Sequence, residues 1–324
     1  MWTVWRLWVI VLLGPVSVPA PTACVVAPVV VPYPVAALAP LATGAGVRVA
    51  VVDSGVDGAL PQLAGGRDLL PGRPGCGGHG TAVAASIAGI APGVRIVAVR
   101  VSDGDPGDAA GIGRVAEGIR WAAGPGRAQV INVSLVIGVD DRRVRAAVAQ
   151  AVHGGVIVVA AAGNDPRRPV GYPAAYPGVI GVGAVLSSGA TASFSPVGPE
   201  VDLVAVGDGG TSFSAAFVSG AAALLRQRFP DASAAWIAER LSVTADVSRR
   251  LNPYRALTEA GAVSRPPVAA AATPPISPRY DGDGARAWRR ASWFAGVALI
   301  LLVSGASAVA AHSRGRRRGW RPPG

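Results

Sequence analysis

Three serines, Ser212, Ser214 and Ser219, fall within eight positions of "GGTSFSAAFVSG" (209–220). A serine hydroxyl is a weak nucleophile near neutral pH unless a base takes its proton. The search for a base is short, because the 324-residue chain holds three histidines. His312 lies in an arginine-rich C-terminal stretch. His153 ends a segment of helical spacing just before Gly154 and Gly155, where a cation suits the helix dipole and glycine suits the stop. That leaves His79 in "GGHGTAVAASIAG", flanked by glycines at the start of a run of small residues. A neutral imidazole works as a base when a carboxylate holds its tautomer. Asp53 closes the apolar run of "VAVVDSGVDG", at a strand's carboxyl end, where open α/β sheets gather their sites. Asp57, two residues past that turn, is a weaker candidate. Asn164 in "VVAAAGND" follows another apolar run and offers an amide donor to a developing oxyanion.

Each residue alone has an ordinary explanation. A histidine between glycines is usually a loop residue, and Asp53 and Asn164 are good turn formers. Together, at strand ends and helix starts and in the order Asp…His…Ser, they point to acyl transfer by a serine, although the residues alone leave open which serine it is.

The elements that must position these groups read as alternating strands and helices. "GVRVAVVD", "VRIVAVRV", "VINVSLV", "GVIVVAAAG", "GVIGVGAV" and "VDLVAVG" are apolar runs rich in β-branched residues. "GHGTAVAASIAGI", "RRVRAAVAQAVHGG", "SFSAAFVSGAAALLRQRF" and "SAAWIAERLSVTA" carry helical spacing. This alternation predicts an α/β fold with a mostly parallel sheet and helices on both faces. No internal repeat is visible.

The net charge of +11 does not point to nucleic acid, because of where it sits. Residues 279–324 carry nine arginines against Asp281 and Asp283, leaving little excess on the rest of the chain. Both ends are membrane-like. Residues 1–23 have a short basic start, an apolar run and small residues, the pattern of a secretory signal peptide, with an uncleaved anchor as the alternative. Residues 293–311 are uncharged and long enough to span a bilayer, and the basic run 312–324 that follows places that end in the cytoplasm. Between them, 263–292 is a Pro/Ala-rich linker. Cys24 and Cys76 would then face an oxidising space, where a disulfide between them is the natural expectation, with lipidation of Cys24 as its rival. No cluster with metal-ligand spacing is present. The glycine-rich "GRPGCGG" lacks the lysine of a phosphate-binding loop, so no cofactor is expected.

From about Gly46 to Leu257 the sequence resembles the subtilisin-like serine proteases. "VAVVDSGVD" is similar to the family's aspartate motif, "GHGTAVAASIAG" to its histidine motif and "GTSFSAAFVSG" to its serine motif. The chain order Asp…His…Ser is also that of subtilisin. The resemblance assigns the nucleophile to Ser212, which follows Gly-Thr, the base to His79, its orienting carboxylate to Asp53 and the oxyanion donor to Asn164. It implies that residues 102–113 and 132–138 line the substrate cleft. Within the family the chain most resembles the mycosins, membrane-anchored subtilases of type VII secretion. The short 24–45 extension, Cys76 three residues before His79, the proline-rich linker and the single C-terminal span carry that likeness. It implies a Cys24–Cys76 link between the extension and the loop before His79.

There are departures. Ala216 stands where the family usually has proline, and Gly138 where mycosins have a cysteine of a second pair. The stretch "VDLVAVGDGGTS" is shorter than usual before the nucleophile. These bear on pocket shape and specificity more than on the triad. The expected protein is a single-pass cell-membrane protease with an extracytoplasmic domain at 46–262. Its partners would be protein or peptide substrates and subunits of a secretion channel, with no nucleic acid. The alternatives are a structural part of a secretion complex with dispensable proteolysis, or a general cell-surface subtilase.

Overall fold

The structure, a computed structural model, describes residues 29–70, 78–104 and 107–261. Cys24, Cys76, the 1–23 segment, the whole 263–292 linker, the 293–311 run and the 312–324 tail with His312 lie outside these residues. Among the described residues no helix is long and apolar enough to cross a membrane.

Among the described residues seven parallel strands form one sheet: β1 (Arg48–Asp53), β2 (Leu63–Asp68), β3 (Arg95–Arg100), β4 (Val130–Val133), β5 (Ile157–Ala161), β6 (Val179–Val185) and β7 (Leu203–Val206), in the order β2-β3-β1-β4-β5-β6-β7. All five residues of β5 and all seven of β6 are buried. That is the signature of a parallel sheet covered on both faces, and it explains why these strands read as unbroken apolar runs. Side chains alternate between two cores. Val49, Val51, Ile157 and Val159 face one; Ala50, Val52, Val158 and Ala160 face the other.

The first core is closed by α1 (Val35–Leu38), α2 (Gly78–Ile90), α5 (Thr211–Arg228), α6 (Ala234–Val243) and α7 (Pro253–Thr258). The second is closed by α3 (Ala109–Ala123) and α4 (Arg142–His153). The α/β fold with a parallel sheet and helices on both faces is therefore as the sequence predicts.

Two elements carry weak sequence signals. β2 is an edge strand containing Gly65 and Gly66, with no alternation to read. α3 holds Gly111, Gly113 and Gly118, yet Ile112, Val115, Ala116 and Ile119 still bury at helical spacing. Gly118 is there for contact, since a Cβ on it would stand 2.6 Å from Val101 Cγ1.

α5 is apolar nearly all round and runs through the first core, which is why its pattern lacks a polar face. Strand order reverses at β1: the chain goes from β1 to the edge at β2, comes back to β3 beside β1, then places β4 on the other side of β1. Such a reversal opens a crevice at the strands' carboxyl ends. Asp53 ends β1, and Ser134 follows β4.

Candidate active site

Asp53 is fully buried, and its carboxylate accepts from His79 Nδ1 at 2.8 and 3.0 Å and from the Ser54 N–H at 2.7 Å. His79 is the second residue of α2. The first turn of α2 approaches the β1 turn because Gly80 has no side chain: a Cβ there would lie 2.2 Å from the Gly55 carbonyl oxygen. With Nδ1–H committed to Asp53, the free lone pair is on Nε2. The hydrogen bond to Asp53, helped by its charge, raises the His79 pKa above the ordinary 6.5 against the opposing effect of burial.

The three serines separate clearly. Ser214 is fully buried and donates to the Ala205 carbonyl at 3.0 Å; Ser219 is fully buried and donates to Asn132 Oδ1 at 2.9 Å. Ser212 alone borders the cleft, in company with Asp53, His79 and Asn164. Its hydroxyl donates to the Ser134 carbonyl at 3.3 Å. The ring of the next residue, Phe213, lies 6.1 Å from the His79 ring, centroid to centroid. Ser212 is the second residue of α5, so its N–H is among the first-turn donors that have no partner within the helix.

Asn164 follows β5 and Gly163. Its Oδ1 accepts from the Thr211 N–H at 2.9 Å and from Thr211 Oγ1 at 3.1 Å. An N–H must meet an acceptor, so the amide is fixed with oxygen toward Thr211, and Nδ2 is left as the free donor. A helix-terminal N–H and an amide Nδ2 beside a serine hydroxyl are the groups that stabilise an oxyanion. A serine, a tautomer-fixed imidazole, a buried carboxylate and such donors can together carry acyl transfer.

The cleft has a volume of about 1330 Å³. That exceeds the several hundred Å³ usual for a small-molecule pocket and suits an extended polymer. Its walls include Asp103, Gly104 and Gly107 on one side and Ser134 to Asp140 on another, within or beside the two segments expected to line it. Arg100, almost fully buried, pairs with Asp68 and Asp103 at 2.8 and 2.7 Å and so ties the Asp103 edge to β2.

The other sequence candidates fall elsewhere. His153 ends α4, is exposed and donates from Nδ1 to the Ala149 carbonyl at 2.6 Å, with Gly155 beyond it at φ +79°. Asp57 accepts from the Ala59 N–H at 2.8 Å, a local turn bond. Thr211, Ser134 and Asn132 are supporting residues that the sequence does not advertise. Asn132 is fully buried within β4 and donates from Nδ2 to Ser134 Oγ at 2.8 Å, and Ser134 Oγ donates to the Ser212 carbonyl at 3.2 Å. The one available signal is an asparagine inside an apolar strand, because a buried amide requires partners.

These features are those of a peptidase fold, and the chain belongs to the subtilase family, whose profile matches residues 44–265. Among curated proteins it is 37% identical to Subtilisin NAT of Bacillus subtilis subsp. natto over 239 residues, which is 63% of this chain and 61% of that protein. Alkaline elastase YaB of Bacillus sp. (strain YaB) is 37% identical over 230 residues, 63% of this chain and 60% of that protein. The chain thus spans about 61% of the length of these relatives. Among solved structures, MycP1 from the ESX-1 type VII secretion system is 30% identical with a TM-score of 0.64, covering 74% of this chain and 86% of that one. The MycP3 protease from the type VII (ESX-3) secretion system is 29% identical with a TM-score of 0.63, covering 74% and 90%. The resemblance to mycosins read from the sequence agrees with these structural neighbours.

Proposed function

We propose that the protein is a membrane-anchored, extracytoplasmic serine endopeptidase of the mycosin kind. The observation that carries this reading is the buried Asp53 carboxylate on His79 Nδ1, in the cleft that Ser212 alone of the three serines borders. His79 Nε2 takes the Ser212 proton as the hydroxyl attacks a peptide carbonyl, then gives it to the leaving amine. Asp53 holds the tautomer and stabilises the imidazolium. Asn164 Nδ2 and the Ser212 N–H stabilise the oxyanion.

Anchoring through 293–311 and a Cys24–Cys76 disulfide belong to the same proposal and rest on the sequence. A role beside a type VII secretion channel, acting on proteins as they leave it, is supported by the likeness to MycP1 and MycP3. Labelling with a fluorophosphonate tests the chemistry. The full chain should become covalently modified at Ser212, and Ser212→Ala should abolish labelling while Ser214→Ala keeps it. A folded wild-type protein that never labels, or labelling that survives Ser212→Ala, would sink the proposal.

A further inference from the structure

The residue whose carbonyl is attacked must place its side chain close to the reacting atoms. Its Cβ lies about 2.5 Å from the carbonyl carbon, two single bonds away. With the oxygen at Asn164 Nδ2 and the carbon at Ser212 Oγ, two wall segments adjoin the reacting groups, one through the chain at Asn164 and one through the Ser134 carbonyl that Ser212 Oγ meets. One is Ala162–Gly163, leading into Asn164; the other is the chain after Ser134. Both prolong neighbouring strands, β5 and β4.

The space between them is framed by backbone. The Gly171 N–H donates to the Ala162 carbonyl at 3.0 Å. Ile137 and Tyr172 exchange two hydrogen bonds, of 2.7 and 2.9 Å. Widening the frame would break these bonds, so its dimensions are set by what stands in it.

Val136 stands in it. Its Cγ1 is 2.4 Å from where a Cβ on Gly171 would be, and 3.8 Å from where a Cβ on Gly163 would be. One branched side chain therefore occupies the room that a side chain on Gly171 would need, and reaches to van der Waals distance of the Gly163 position. Val136 is half-buried and borders the cleft.

We infer that Val136 fills the subsite for the residue on the acyl side of the scissile bond, restricting it to small side chains such as Gly, Ala or Ser. Its rotation is limited by β-branching, so it is a poor gate and a good plug. Aromatic and long aliphatic side chains are excluded by contact, without any charge being involved. This rests on the protease reading above.

The test uses peptidyl phosphonates that differ only in carrying Ala or Phe at the reacting position, with rates of Ser212 labelling measured on the full chain. A simple fluorophosphonate serves as the control for a working serine. Wild type should prefer Ala by about 10-fold or more, the range over which pocket volume discriminates. Val136→Gly should move the ratio toward Phe by a similar factor, with Val136→Ala between. If Val136→Gly does not fold, Val136→Ala reads the same ratio. Equal rates for Ala and Phe in wild type, or a ratio unmoved in variants that still react with the fluorophosphonate, overturns the inference. Absence of any fluorophosphonate reaction in wild type removes the protease reading instead.

Discussion

His79 joins two opposite pH dependences in one side chain. Its pKa is raised in the folded state, chiefly by the hydrogen bond to Asp53. The protonated form is thus bound more favourably in the folded protein. The resulting stabilisation is fully present below the unfolded imidazole pKa and is lost as pH rises through the folded value. Catalysis needs the neutral form, so kcat/KM should rise with pH across the same window. The acid limb of the kcat/KM profile should therefore have its midpoint above 6.5, the ordinary imidazole value. Asp53→Asn should move that limb to lower pH and reduce kcat by about 10⁴-fold, the cost of a wrongly held imidazole in a serine-protease triad. A limb at or below 6.5 in wild type would contradict the pairing. The resting bond from Ser212 to the Ser134 carbonyl, 3.3 Å long, is weak enough for the hydroxyl to turn toward Nε2 when substrate arrives.

Between elements, α5 and β4 are fastened at two places. Ser212 is bonded to Ser134, and Ser219 is bonded to Asn132. Seven residues are nearly two full helical turns, so Ser212 and Ser219 lie on one face of α5, about 10 Å apart. The Asn132 amide joins the two through Ser134, which fixes the rotation of α5 about its axis and with it the aim of Ser212. Ser219→Ala leaves Asn132 Oδ1 buried without its donor, a loss of about 1–3 kcal/mol. The variant should melt several degrees lower in a thermal scan and still label at Ser212. Loss of labelling in a protein of unchanged stability would mean that Ser219 takes part in the chemistry directly.

Across the whole molecule, α5 connects the cleft to the N-terminal segment. Its eighteen residues span about 27 Å. At the far end Gln227 Oε1 accepts from the Thr43 and Gly44 N–H groups, each at 2.7 Å. Tyr33 packs edge-on against Phe217 with centroids 5.3 Å apart, and burial pushes its hydroxyl pKa up to about 12. The described residues before β1, 29–47, thus pack on the first core, and none of them lines the cleft. The proposal places 293–311 in the membrane and residues 46–262 outside the cell. External protease added to spheroplasts should remove the catalytic domain and leave a small protected C-terminal fragment. Full protection of the domain would reverse the orientation, and complete digestion would remove the span.

The sequence by itself pointed to six of the seven described strands, to α2, α4, α5 and α6, and to Asp53, His79 and Asn164 beside a cluster of serines. Parallel strands covered on both faces must be apolar along their whole length, and a buried carboxylate or a glycine-flanked histidine stands out against such runs. The sequence also pointed to acyl transfer by a serine and left open, from the residues alone, which of the three it was. That was decided by the third dimension: Ser214 and Ser219 turn into backbone and amide acceptors in the core, and only Ser212 borders the cleft. The resemblance placed residues 132–138 at the cleft, but the individual contacts of Asn132, Ser134, Thr211 and Val136 were invisible, because each joins residues about 30 to 90 positions away. Polar and apolar periodicity reports which face of an element is buried, and it carries no information about which distant partner fills that face.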